Sequence, residues 1–198
     1  MIFKPLLDLF FPPTCIHCGE DTSLYYLCKE CWLESKLLPL DGRCLHCFQE
    51  IDEPSGLCSR CRHAPLLPFP RAALFAKEAP ISRLLNREES IKPLAGFCVY
   101  QWLKLEWKTP DLIASIPPHK KKVARRFAEL LHIPSPHLFR VLSWPLYPRK
   151  WEVNEKLIDD DTTLLLIDDG CTFEELQMAS RALSMAFPKK VYILSLTI

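Results

Sequence analysis

The chain carries almost no net charge: 25 Lys and Arg stand against 24 Asp and Glu in 198 residues. Nothing global therefore draws it to nucleic acid or to a membrane surface. It also lacks any apolar run near the roughly 20 residues that a membrane-spanning helix needs. The opening MIFKPLLDLFFPP is apolar but short. Asp8 interrupts it, and no small-residue cleavage site precedes Pro12 and Pro13, so it does not read as a secretion signal. The expectation is a chain in the reducing cytoplasm, with no membrane partner, where paired cysteines hold metal more readily than they form bridges. Glycine is scarce as well. There are five, against eighteen prolines that punctuate the chain at Pro65, Pro68, Pro70, Pro80, Pro93, Pro117, Pro118, Pro134 and Pro136.

Cysteine is what the first third has in abundance. Four Cys-x-x-Cys pairs follow one another: Cys15/Cys18, Cys28/Cys31, Cys44/Cys47 and Cys58/Cys61. Two thiolates two residues apart grip one zinc from a tight turn, and two such turns close a tetrahedral four-sulfur shell that is structural rather than catalytic. Cys-Ile-His-Cys-Gly-Glu at 15–20 returns as Cys-Leu-His-Cys-Phe-Gln-Glu at 44–50, and Leu-Cys-Lys-Glu-Cys at 27–31 returns as Leu-Cys-Ser-Arg-Cys at 57–61. A repeat of roughly thirty residues makes each copy one unit. Cys15, Cys18, Cys28 and Cys31 are then expected to share one zinc, and Cys44, Cys47, Cys58 and Cys61 a second. The rival arrangement interleaves the pairs, first with third and second with fourth. His17 and His46 lie between ligands and read as exposed knuckle residues, while Cys98 and Cys171 have no close partner and read as ordinary thiols.

The remaining length suits one sheet covered by helices, giving an expected double zinc ribbon with a short N-terminal helix over 1–64 and an α/β domain over 65–198. APLLPFP at 64–70 reads as a linker or an edge strand. RAALFA at 71–76 reads as a strand, and apolar positions at helical spacing run from Ile81 to Leu105, with Pro93 restarting a second helix. DLIASI at 111–116 is a buried strand that Pro117 and Pro118 stop. A basic run follows, with Lys120, Lys121, Lys122, Arg125 and Arg126, then a short helix over 127–133. The stretch 134–160 is weakly patterned. TTLLLI at 162–167 is an apolar run without alternation, as in a parallel strand buried on both faces. A helix from Phe173 to about Phe187 and a strand at 191–198 complete a doubly wound pattern.

Ligands of open parallel sheets bind beyond the carboxyl ends of strands, where Asp168, Asp169 and Gly170 fall. Paired carboxylates there suit sugar hydroxyls or Mg²⁺; the alternative is a solvated turn. LLLIDDGCT resembles the acidic loop of type I phosphoribosyltransferases, in which two acids hold the ribose of phosphoribosyl pyrophosphate and a Thr/Gly-rich turn cradles its 5-phosphate. Over nearly its full length the chain resembles ComF-type competence proteins, which join a cysteine-rich zinc module to a phosphoribosyltransferase-like domain. LLDLFFPP before the first cysteine pair, DLI through IPPH at 111–119, and RRFAELL at 125–131 carry that likeness. The resemblance implies Asp168, Asp169 and Thr172 at the ribose and phosphate, Mg²⁺ with phosphoribosyl pyrophosphate, and the basic run at phosphates or nucleic acid. It also implies partners in DNA uptake: single-stranded DNA and a DNA-translocation or helicase protein.

The chain departs from the family where phosphate would bind. The family runs Asp-Asp-Val-x-Thr-Thr-Gly-x-Thr-Leu; here Asp168-Asp169-Gly170-Cys171-Thr172-Phe173-Glu174-Glu175-Leu176 is one residue shorter and lacks the second Thr and the Gly. Thr172 with Glu175 three residues on reads as a capping box, in which the helix end is satisfied by the protein itself. Glu174 and Glu175 add charge that repels a phosphate. Three functions compete: a non-catalytic or weakly catalytic phosphoribosyltransferase-like scaffold that handles single-stranded DNA, an active Mg²⁺-dependent phosphoribosyltransferase, and a zinc-dependent adaptor for a protein partner.

Overall fold

Gly19 and Phe48 occupy the same place in two copies of one turn, and both adopt a left-handed backbone, φ +81° and +65°. The computed structural model describes residues 13–22, 26–52, 56–85, 87–144 and 147–198. The expected N-terminal helix falls on residues outside these. In each copy the first cysteine's N–H bonds five residues on, Cys15 to the Glu20 carbonyl at 2.8 Å and Cys44 to the Gln49 carbonyl at 2.9 Å. A second pair of left-handed residues, Tyr26 and Gly56, repeats too. Each copy thus puts glycine at one tight position and an aromatic at the other. Such a conformation costs a non-glycine residue about 1 kcal/mol or more, so packing must hold it. Phe48 is buried, with the Arg43 guanidinium 5.2 Å from its ring centre.

Each ribbon closes with a short helix, α1 at Lys29–Glu34 and α2 at Ser59–His63. Beyond them run β1 (Arg71–Phe75), two 3-10 turns (Pro80–Leu84 and Glu88–Ser90), α3 (Ile91–Lys104), β2 (Leu112–Ile116), α4 (Lys122–Leu131), β3 (Phe139–Trp144), β4 (Tyr147–Val153), β5 (Thr163–Asp168), α5 (Phe173–Ser184) and β6 (Lys190–Thr197). Strands β1, β6, β5 and β2 form, in that order, one parallel sheet. The fold is therefore α/β, with two tetra-cysteine groups ahead of a four-stranded parallel sheet.

Strand β5 is buried along its whole length because its side chains enter two cores. Leu165 and Ile167 join Ile113, Leu194, Leu94, Ala95 and Phe127 under α3 and α4. Leu164 and Leu166 join Ala114, Ile193, Leu176, Leu183 and Trp151 under α5 and the β3–β4 hairpin. Burial on both faces explains why TTLLLI has no polar alternation. The first ribbon shares the first core: Leu27, Cys28 and Cys31 cluster with Phe75, Leu94 and Phe127. The Leu38 N–H donates to the Leu74 carbonyl at 2.7 Å, and the buried Gln101 amide to the Leu38 carbonyl at 3.2 Å.

Three elements differ from expectation. Helix α4 starts at Lys122 rather than at 127, so the basic run forms its N-terminal turn, anchored by the buried stripe of Val123, Ala124, Phe127 and Ala128. The segment after β1 forms tight 3-10 turns rather than a first α-helix. Within 134–160 the β3–β4 hairpin forms, with Phe139 and Trp151 edge-to-face at 5.5 Å. No helix among the described residues is long and apolar enough to cross a membrane.

Candidate functional site

The four sulfurs of Cys15, Cys18, Cys28 and Cys31 all lie within 4.8 Å of one another, as do those of Cys44, Cys47, Cys58 and Cys61. The sulfurs of Cys18 and Cys28 are 3.7 Å apart, and those of Cys47 and Cys58 likewise. A zinc–sulfur bond of about 2.3 Å in a tetrahedron places sulfurs about 3.8 Å apart, so both groups fit one zinc each. All ten cysteines are free thiols. The grouping is the sequential one, and the interleaved arrangement is not formed. The chain prepares these sulfurs for metal. Cys28 and Cys58 are N-caps, accepting from the N–H groups of Cys31 at 3.5 Å and Cys61 at 3.4 Å. Burial pushes the Cys15 and Cys44 thiols up, but backbone N–H groups more than offset it and bring both to about 6. Burial, and then the neighbouring cysteines, push the Cys31 and Cys61 thiols up. His17 is exposed, as expected, although its ring lies within reach of Cys31 and Glu34. His46 departs from expectation: it is half-buried, and its Nε2 lies 2.7 Å from the Leu67 carbonyl.

The acidic turn separates its two carboxylates. Asp168, 2% exposed, has both oxygens engaged within the protein. Its Oδ2 accepts from Ser195 Oγ at 2.7 Å and from Arg71 Nη2 at 3.3 Å, while Arg71 Nε donates to Ser195 Oγ at 2.7 Å. Its Oδ1 accepts from the Cys171 N–H at 3.0 Å and from the Cys171 thiol at 2.9 Å. Burial and then the Asp168 charge push that thiol up, keeping it a donor. Asp169, 5% exposed, instead lines a cleft of about 280 Å³ with Leu85, Arg87, His119, Lys120 and Val123. Its Oδ1 is buried without a hydrogen-bond partner among the described residues. Burial raises its carboxyl to about 6; Lys120 pulls the other way, and Asp168 adds to the rise.

At the start of α5 the capping box is complete. Thr172 Oγ1 accepts from the Glu175 N–H at 3.2 Å, and Glu175 Oε2 accepts from the Thr172 N–H at 3.0 Å. The box takes the N–H groups of Thr172 and Glu175, two of the donors that a phosphate could use at this helix end.

The five cations of the basic run divide. Lys122 pairs with Glu88 at 2.9 Å and Arg126 with Glu129 at 2.8 Å. Lys120 faces Asp169. Lys121 donates to His137 Nε2 at 2.8 Å, and with Arg125, Ser135 and His137 it lines a pocket that no acidic residue enters. The residues missed in the sequence are Arg71, Ser195, Arg87 and His137. Arg71 lies 97 positions from Asp168, so no local pattern could have joined them. Cys171, read as an ordinary thiol, is a ligand of the acidic turn, and its place three residues after Asp168 was the available signal. No protein-family model matches this chain, and no curated protein matches it either. What stands is two zinc-ribbon-like tetra-cysteine groups joined to a parallel-sheet domain.

Proposed function

We propose that this chain is a ComF-type protein of the cytoplasm, a phosphoribosyltransferase-like scaffold that does not transfer and that handles single-stranded DNA during uptake. The observation that carries this reading is the acidic turn. Asp168 is saturated by Arg71, Ser195 and Cys171, and the helix end beyond it is closed by Thr172 and Glu175. A ribose diol at Asp168 would have to displace an existing contact, and a 5-phosphate would meet Glu175 already bonded to the Thr172 N–H.

Charge supports DNA contact on the α/β side. Residues 1–64 hold six Lys and Arg against nine Asp and Glu, and residues 65–198 nineteen against fifteen. Each zinc held by four thiolates adds about two further negative charges to the ribbons. The ribbons therefore suit a protein, such as a translocation or helicase partner, better than a nucleic acid. On the α/β side Lys121 and Arg125, beside His137, make a cationic wall within the basic run, whereas Lys122 and Arg126 are paired.

Fluorescence anisotropy with a labelled oligothymidylate over a salt series tests the reading. Two phosphate contacts give a log–log slope of about −1.4, at about 0.7 per contact on single strands. Lys121→Ala with Arg125→Ala should flatten it, whereas Lys122→Ala should leave it within error. Absence of binding at low salt would defeat the DNA reading.

One observation favours an active Mg²⁺-dependent transferase instead: Asp169 keeps an unpartnered oxygen in a cleft beside Lys120 and Arg87. Titration with phosphoribosyl pyrophosphate separates the two.

A further inference from the structure

The second ribbon touches the sheet at one instructive point. The Arg71 N–H donates to the His46 carbonyl at 2.7 Å. His46 lies inside the Cys44-x-x-Cys47 turn, whose two sulfurs gather with those of Cys58 and Cys61. Its ring is tied at 2.7 Å to the Leu67 carbonyl, which fixes the same turn to the segment leading into β1. The side chain of Arg71 then runs to Ser195 at 2.7 Å and Asp168 at 3.3 Å. Asp168 in turn holds the Cys171 N–H and thiol. Asp169, the next residue, is fixed by its N–H to the Ile116 carbonyl at 2.9 Å. One unbroken series of hydrogen bonds thus joins the second tetra-cysteine group to the turn that carries both acids.

We propose that the second zinc ribbon is the clamp of the acidic turn: metal held by Cys44, Cys47, Cys58 and Cys61 fixes the His46 carbonyl, and through Arg71 it fixes Asp168. Arg71 is a positioning residue. Its guanidinium side chain is largely buried, 13% exposed, and it faces a carboxylate 3% exposed. A buried pair of this kind tolerates poor placement badly, because a carboxylate left without its cation keeps its full desolvation cost. The first ribbon serves the site differently: its Tyr26 ring lies 5.2 Å under the Arg87 guanidinium at the Asp169 cleft, and it makes no bond to Asp168 among the described residues.

Coupling between two sites is reciprocal, so a change at Arg71 must loosen the second metal as much as the metal tightens the turn. Chelator competition with pulsed alkylation and peptide mass spectrometry reads each cysteine separately in zinc-loaded protein. In Arg71→Met, Cys44, Cys47, Cys58 and Cys61 should become labelled at least about fivefold faster than in the wild type, with Cys171 rising alongside them. Cys15, Cys18, Cys28 and Cys31 should stay within about twofold. In the wild type, Cys171 should become labelled together with the second group when chelator removes zinc. Should Arg71→Met fail to fold, Ser195→Ala removes one hydroxyl from the same network and should give the same pattern, smaller in size. Wild-type rates at the second group in a folded variant, or equal acceleration of both groups, would overturn the proposal.

Discussion

Asp169 is the residue at which this fold bears a cost. Its carboxylate is buried with one oxygen unpartnered, and burial lifts it to about 6. A carboxyl raised above its unfolded value keeps its proton in the folded state between about 4 and about 6, while the unfolded chain has already lost it. Stability should therefore fall as pH rises through that window, and the deficit is complete above about 6. A shift of about two units corresponds to at most about 3 kcal/mol. Asp169→Asn should stabilise the protein by about 1–3 kcal/mol near pH 8, an advantage that disappears near pH 4. Urea unfolding of both forms at several pH values measures this, and their difference cancels effects of zinc common to the two. An unchanged difference across the window would mean that the carboxylate is solvated.

At the scale of elements, the ribbons make the firmest prediction. Replacing Cys15 and Cys18 with Ser should remove one zinc and leave close to one equivalent on Cys44, Cys47, Cys58 and Cys61, because each group closes its own shell. Metal analysis after gel filtration reads the number, and loss of both metals would mean that the ribbons cannot stand apart. This grouping was legible because spacing and repeat are local. So was β5, since an apolar run without alternation reports burial on two faces, and so was the cap of α5, whose Thr and Glu stand three apart. The β3–β4 hairpin was hidden: Pro148 breaks the alternation of β4, and its inward side shows in the packing of Phe139, Trp151 and Val153 into the second core. The early start of α4 was hidden because three cations, Lys122, Arg125 and Arg126, mask the stripe of Val123, Ala124 and Phe127. The bonds from Arg71 and Ser195 to Asp168 join three strands far apart in sequence, and no window along the chain contains them.

Over the whole molecule, the zinc ribbons and the sheet act as one frame around the acidic turn. The first ribbon contributes to the main core, the second bonds to the start of β1, and between β5 and α5 both Asp168 and the cap of α5 are held by contacts within the protein. Remote phosphate binding positions the reacting carbon in a transferase, so a closed cradle lowers turnover as well as affinity. Isothermal titration of zinc-loaded protein with phosphoribosyl pyrophosphate and Mg²⁺ tests this most directly. The account predicts binding no tighter than about 1 mM, little changed by Asp169→Asn. Low-micromolar binding that Asp169→Asn abolishes would contradict it and favour the transferase reading.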